Sequence, residues 1–212
     1  MSIVTDLTTQ QHDPERVNVE LDGRFGFGAS KLVVITHGLC VGDDLTDEEM
    51  EALQKDDEGD RVYSGALNFL SYRPRSRREV EMHFRRKGVS PQLLEAVLNR
   101  LEGSGLIDDP AFASFWVENR ETFKPRSRRA LRTEMRQKGI SGHVAEEALA
   151  NLPDEEEIAY RAGLAKMRSY QNLDRAEFNR KLIAFLQRRG FAYGAAAAAA
   201  NRLADDTLTD PL

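Results

Sequence analysis

The chain repeats itself at a fixed offset of 51 residues. Residues 74–89 read PRSRREVEMHFRRKGV, and residues 125–140 read PRSRRALRTEMRQKGI. The same shift carries Gly139 to Gly190, at the end of LIAFLQRRGF. Apolar positions keep the register: Val80, Leu131 and Leu182; Phe84, Met135 and Leu186; Val89, Ile140 and Phe191. A constant period marks a tandem array of one small helical unit, each burying its apolar face partly against its neighbours. It also presents one surface repeatedly, which suits a long or repetitive partner better than a small substrate.

Each repeat reads as three helices. In the first, Arg61 to Tyr72 sets Val62, Ala66, Phe69 and Leu70 on one helical face. Arg73-Pro74 breaks it, because the residue before proline is pushed out of the helical region. Ser76 caps the second helix, with Glu79 completing a capping box. Gly88 ends that helix in the left-handed conformation. Ser90-Pro91 opens the third, whose stripe is Leu94, Val97, Leu98 and Leu101. In the second repeat Asp109-Pro110 opens a helix bearing Phe112, Phe115, Trp116 and Phe123. Ser127 caps the next, Gly139 stops it and Ser141 begins the last. The third repeat shows a longer first helix after the acidic stretch 153–157, then a second helix from Asp174 to Arg189. The alanine run 195–200 reads as a helix packed closely on a neighbour, or as a loosely anchored end.

The leader differs in kind. Val17, Val19 and Leu21 alternate with polar residues, Asp22-Gly23 supplies a two-residue turn, and Phe25 and Phe27 resume the alternation, as in a β-hairpin. Ser30 caps a short helix, KLVVITHG, and Thr46 with Glu49 forms a capping box for another. KDDEGD at 55–60 reads as a solvated linker. The expected division is a disordered N-terminus at 1–15, a leader with acidic linker at 16–60, three-helix repeats at 61–108, 109–153 and 154–204, and an acidic tail at 205–212. The expected fold is all-α: tandem three-helix repeats in an elongated or curved array behind a small β-hairpin/α leader.

Catalytic signatures are missing. There is no GxxxxGK[ST] loop, no GxSxG elbow, no HExxH and no cysteine pair. Cys40 stands alone, and His12, His37, His83 and His143 have no metal-ligand spacing. Asp108-Asp109 reads as a helix cap beside Pro110 rather than a metal-binding pair. No catalytic residue, cofactor or metal is expected, and an enzyme is not expected. The start, MSIVTDLTTQQHDPER, lacks a signal-peptide pattern. No apolar run approaches the roughly 20 residues that cross a bilayer. A cytoplasmic, membrane-independent monomer is the expectation.

Charge is segregated. The net value is −5, yet residues 72–87, 123–138 and 174–189 together hold 19 basic and 5 acidic residues, a balance of +14. The remainder carries −19. In the PRSRR motifs Arg75, Arg77 and Arg78, and again Arg126, Arg128 and Arg129, cluster at the positive end of a helix dipole, where cations are disfavoured by a few tenths of a kcal/mol each. Guanidinium forks and exposed helix-start N–H groups both suit phosphates and carboxylates. The alternative is an ordinary solvated face; repetition and segregation favour binding. The Lys-Gly or Arg-Gly ends at 87–88, 138–139 and 189–190 read as helix terminators. Trp116, Phe112 and Phe115 could stack on bases, but their helical spacing favours the core.

The chain resembles the RecX family, bacterial regulators of the RecA recombinase. The resemblance rests on PRSRREVEMHFRRKG, the stretch GLIDDPAFA at 105–113, KPRSRRALRTEMRQKGI and RRGF at 188–191, and covers about residues 61–203; the leader also looks like the hairpin region of longer members. It implies a non-enzymatic protein that binds within the groove of the RecA–DNA filament, inhibits its ATPase and strand exchange, and so modulates recombination and DNA repair. Carried onto this sequence, the filament- and DNA-binding positions are Arg75, Arg77, Arg78, Arg126, Arg128 and Arg129, with Arg188 and Arg189 from RRGF. The implied partners are RecA and the single-stranded DNA inside the filament, with weaker binding to bare DNA. The third repeat departs from the pattern, placing Glu177-Phe178-Asn179 where Arg-Ser-Arg would stand. Two other readings remain open: a general DNA-binding helical repeat without a recombinase partner, and a protein adaptor for which DNA is irrelevant.

Overall fold

The computed structural model describes residues 1–170 and 172–209. The chain divides into two compact units, Met1–Arg73 with Val80–Leu106, and Pro74–Glu79 with the described residues from Ile107 onward. Helices dominate both, behind a stranded leader.

In the first unit, strands β1 (Ser2–Thr9), β2 (Arg16–Leu21), β3 (Arg24–Ser30) and β4 (Asp44–Leu45) form an antiparallel sheet in the order β3-β2-β1-β4. The hairpin turns at Asp22 (φ 51°) and Gly23 (φ 75°), the positive angles that a two-residue turn between twisted strands demands. Val4, Val19, Phe27 and Ala29 from the sheet pack with Val33, Leu39, Leu45 and Leu53. Val33 lies on α1 (Lys31–Thr36), whose start is capped by Ser30. Leu53 lies on α2 (Asp47–Ser71), where Thr46 and Glu49 form the expected reciprocal box: the Glu49 N–H donates to Thr46 Oγ1 at 3.2 Å and the Thr46 N–H to Glu49 Oε2 at 2.8 Å.

Two expectations for this region are corrected. Residues 1–15 are not disordered: β1 pairs with β2, and Val4 is fully buried. Its alternation is interrupted by Thr5, Asp6 and Thr8, so its strand character depends on a partner distant in sequence. Nor are residues 55–60 a linker, since they lie inside α2. Asp57 is buried, and its carboxylate accepts from Arg16 Nη1 at 3.0 Å, Arg16 Nη2 at 2.9 Å and the Ser30 N–H at 2.8 Å. A buried carboxylate so fully bonded fixes α2 to the sheet, and offsets the ~1 kcal/mol by which Gly59 weakens a helix relative to alanine.

Helix α3 (Arg77–Arg86) follows; its residues from Val80 onward belong to this first unit, as does α4 (Pro91–Gly103). The α4 stripe predicted from the sequence, Leu94, Val97, Leu98 and Leu101, is buried.

The second unit contains α5 (Asp109–Phe123), α6 (Arg128–Gln137), α7 (Gly142–Leu149), α8 (Glu155–Leu164), α9 (Met167–Tyr170), α10 (Arg175–Arg188) and α11 (Tyr193–Thr209). The second and third repeats share one core, in which Leu131, Met135 and Ile140 join Leu182, Leu186 and Phe191. Ala196, Ala199, Ala200 and Ala204 are buried in it. Their small side chains let α11 lie close to α8 and α10, and a Cβ added at Gly163 would stand 2.5 Å from Leu203 Cδ1. The alanine run is therefore a packed helix. The tail expected at 205–212 continues this helix through Thr209, and residues 210–212 lie outside the described residues.

The long first helix expected in the third repeat is broken into α8 and α9. The Lys166 N–H bonds the Gly163 carbonyl at 2.7 Å, a tighter closure than the α-helical one, which ends α8. Phe123, placed by the sequence among the apolar residues of α5, is 73% exposed.

Candidate nucleic-acid interface

Each PRSRR motif begins a helix because its serine is a cap. Ser76 and Ser127 are fully buried. Ser76 Oγ accepts from the Glu79 N–H at 3.2 Å, and Ser127 Oγ from the Ala130 N–H at 3.1 Å. The motifs also meet the glycine ends of the next repeat. The Ser76 hydroxyl donates to the Lys138 carbonyl oxygen at 2.7 Å, and the Glu79 carboxylate pairs with Lys138 Nζ. One repeat later the Ser127 N–H donates to the Arg189 carbonyl at 3.3 Å.

Glycine is required twice over at these joints. Gly139 and Gly190 have φ of 84° and 95°, a conformation that L side chains disfavour. A Cβ at Gly139 would also stand 2.6 Å from Arg78 Cβ, and one at Gly190 would stand 2.6 Å from Ser127 Oγ and 2.8 Å from Ala130 Cβ. At Gly88 the φ is 84° but an added Cβ would meet nothing within 4 Å. The sequence reading found the helix terminators and missed the joint.

The sequence-derived arginines are held very differently. Arg128 donates to three carbonyls around the end of α7: Nη1 to Leu149 O at 2.8 Å, and Nη2 to Leu152 O at 2.6 Å and Pro153 O at 3.2 Å. Its fork is committed inside the repeat. Arg189 donates to the Pro125 carbonyl at 3.0 Å and lies 4.6 Å from the centre of the Phe185 ring. Burial, and then the charge of Arg126, hold its pKa below the usual arginine value. Arg126 pairs with Glu134 at 3.0 Å with 41% of its side chain exposed. Arg75 and Arg77 are half-buried and partnered, and the Arg77 N–H donates to Asp109 Oδ1 at 2.9 Å. Arg78, Arg129 and Arg188 are exposed.

Glu134 organises the second repeat. Its carboxylate accepts from Trp116 Nε1 at 2.8 Å and Arg120 Nε at 2.8 Å, besides Arg126. Arg120 and Lys138 stand 4.2 Å and 4.1 Å from the centre of the Trp116 ring, and Phe112 stacks on it at 5.8 Å. Trp116 is thus engaged internally, as its helical spacing indicated. Glu134, Arg120 and Lys138 were not identified as an orienting network. The available signal was that Glu134 is the single acid in residues 123–138, which hold seven basic groups.

In the third repeat Asp174 caps α10 from the Glu177 N–H at 2.9 Å, Lys181 pairs with Glu177 at 3.1 Å, and Phe178 is buried where the other repeats place serine. Asp108 caps α5 through the Ala111 N–H at 2.8 Å. Among the described residues no cluster of three or more His, Cys, Asp or Glu side chains could hold a metal ion, and no helix is long and apolar enough to cross a membrane.

Comparison with known proteins yields four family models in chain order. They are the N-terminal domain of regulatory protein RecX over residues 2–46, and its first, second and third three-helix domains over 63–101, 108–149 and 154–199. The chain is 30% identical to a Regulatory protein RecX of Bacillus subtilis over 205 residues, 96% of this chain and 78% of that protein. It is 28% identical to one of Bacillus licheniformis, over 94% of this chain and 76% of that protein. A crystal structure of regulatory protein RecX superposes with a TM-score of 0.73 at 25% identity, covering 97% of this chain and all of the other. The structure of RecX from Lactobacillus salivarius gives a TM-score of 0.58 over 70% of this chain and 97% of that one.

Proposed function

The chain belongs to the RecX family of regulatory proteins, and on that premise we propose that it binds the RecA–DNA filament and inhibits its ATPase and strand exchange. The observation that carries this reading is the pair of exposed arginines at one repeat position, Arg78 and Arg129, each on the first turn of a second helix. A periodic ligand is matched by a periodic surface. Arg188 offers a third exposed cation at the end of α10. Arg126, Arg128 and Arg189 support that surface from within, by holding helix ends and the Glu134 network. The balance of −19 outside the three basic stretches repels bare duplex and favours a composite surface of protein and DNA.

The test is ATP hydrolysis by RecA on single-stranded DNA, titrated with the wild-type chain and with Arg78→Ala/Arg129→Ala. Wild-type chain should suppress hydrolysis below one copy per RecA, and the double variant should need several-fold more. A folded double variant that inhibits at the wild-type concentration overturns the assignment. Equal inhibition of a DNA-stimulated ATPase of unrelated fold replaces it with general DNA binding.

A further inference from the structure

Two aromatic side chains occupy the same repeat position, face solvent and belong to no core. Tyr72 is 77% exposed and Phe123 is 73% exposed, and they lie 51 residues apart. Phe123 is the last residue of α5, and Tyr72 is the C-cap of α2. Each opens the same run: Tyr72-Arg73-Pro74-Arg75-Ser76-Arg77-Arg78 and Phe123-Lys124-Pro125-Arg126-Ser127-Arg128-Arg129. We propose that Phe123 and Tyr72 are stacking platforms for unpaired bases of a single-stranded nucleic acid, whose phosphates meet the exposed cations that follow in the chain, Lys124 and Arg129 after Phe123 and Arg78 after Tyr72. This deepens the preceding reading and rests on it.

Packing gives no reason for these rings. Phe112 is buried, while Trp116 is covered by Arg120, Lys138 and Phe112. Phe123, at the end of the same helix, has Lys124 next to it and Arg129 six residues on, both exposed. A flat apolar face beside cations fits a base with its phosphate, because every base has a face to stack and every nucleotide a charge to neutralise. The third repeat ties the two features together by losing both. Asp174 stands at the aromatic position, where it caps α10, and Glu177 stands at that of Arg75 and Arg126. The concentration of +14 in the three basic stretches of a chain with net charge −5 points to a polyanion as the occupant.

The experiment compares binding of the 212-residue chain to fluorescein-labelled oligothymidylate and to an equally long abasic deoxyribose-phosphate oligomer. Phosphate contacts serve both probes, whereas stacking serves only the first. Wild-type chain should prefer oligothymidylate. Phe123→Ala and Tyr72→Ala should each reduce that preference by about 5- to 150-fold, the span expected for one stacked base, without changing the salt slope. Phe123→Trp should retain the preference and add an indole signal quenched by oligothymidylate. Equal wild-type affinity for the two probes overturns the proposal, as do alanine variants that bind oligothymidylate like wild type. Alanine variants that keep the preference but lose inhibition of RecA assign the rings to a protein contact, which also overturns it. Failure of the underlying reading is read separately: Arg78→Ala/Arg129→Ala would then leave both the salt slope and the inhibition unchanged.

Discussion

The Ser76 hydroxyl donates to the Lys138 carbonyl oxygen at 2.7 Å across 62 positions of sequence. Ser76 also caps its own helix through the Glu79 N–H, so one buried side chain both starts a helix and receives the end of a helix from the next repeat. Ser127 holds the equivalent place against Arg189 and Gly190. The basic surface is built directly on these joints.

Glycine substitutions should separate the two demands made at the joints. Gly88→Ala should cost about 1–2 kcal/mol, from the left-handed backbone alone. Gly139→Ala and Gly190→Ala should cost more, because the added Cβ would lie 2.6 Å from Arg78 Cβ or Ser127 Oγ and the neighbours must shift. Urea denaturation midpoints followed by circular dichroism would show the order. Equal losses at all three glycines would contradict a close-packed joint.

Arg128 and Arg129 are adjacent in sequence and should behave oppositely. Arg128→Ala leaves the carbonyls of Leu149, Leu152 and Pro153 without their donor, and hydrogen bonds to a charged group contribute about 1.5–3 kcal/mol. Its melting temperature should fall. Arg129→Ala, at an exposed site, should change stability by less than about 0.5 kcal/mol, and its effect should appear in filament inhibition.

Glu134→Gln should disturb Trp116, the single tryptophan of the chain. Trp116 Nε1 and Arg120 Nε share the same carboxylate oxygen, and Arg126 takes the other. Neutralising Glu134 leaves these cations without their counter-charge, so Trp116 emission should shift and stability should fall by about 1–3 kcal/mol. Unchanged emission from a folded variant would remove Glu134 from the organising role.

The attachment of α11 should weaken in acid. Glu157 has its pKa held below its ordinary 4.5 by hydrogen bonds from Arg202 and Arg161. A carboxylate with a lowered folded-state pKa contributes stability that is fully present above the unfolded value and is lost as pH falls through the folded one. Amide exchange along α11 should therefore accelerate, relative to its intrinsic rate, as pH drops below about 4.5. Arg202→Gln should remove much of this dependence; an unchanged pH profile in that variant would exclude the pair as its source.

The sequence was sufficient for most of what local chemistry sets, the break between α8 and α9 excepted. Serine caps, glycine stops and the Asp22-Gly23 turn appear where the residues indicated. Of the nine apolar positions read from the repeat, Val80, Phe84, Leu131, Met135, Ile140, Leu182, Leu186 and Phe191 are buried, and Val89 is half-buried. Propensity and periodicity act within a few residues, so they can be read from one segment at a time.

Tertiary structure alone decided which cations are committed internally and which remain exposed. Arg128 and Arg129 look alike in the motif, yet one faces main-chain carbonyls more than 20 residues away and the other faces solvent. A carbonyl acceptor carries no side-chain signature, so no pattern announces it. The strand β1 and the helical course of residues 55–60 escaped the sequence for the same reason: each is fixed by what lies across from it in space.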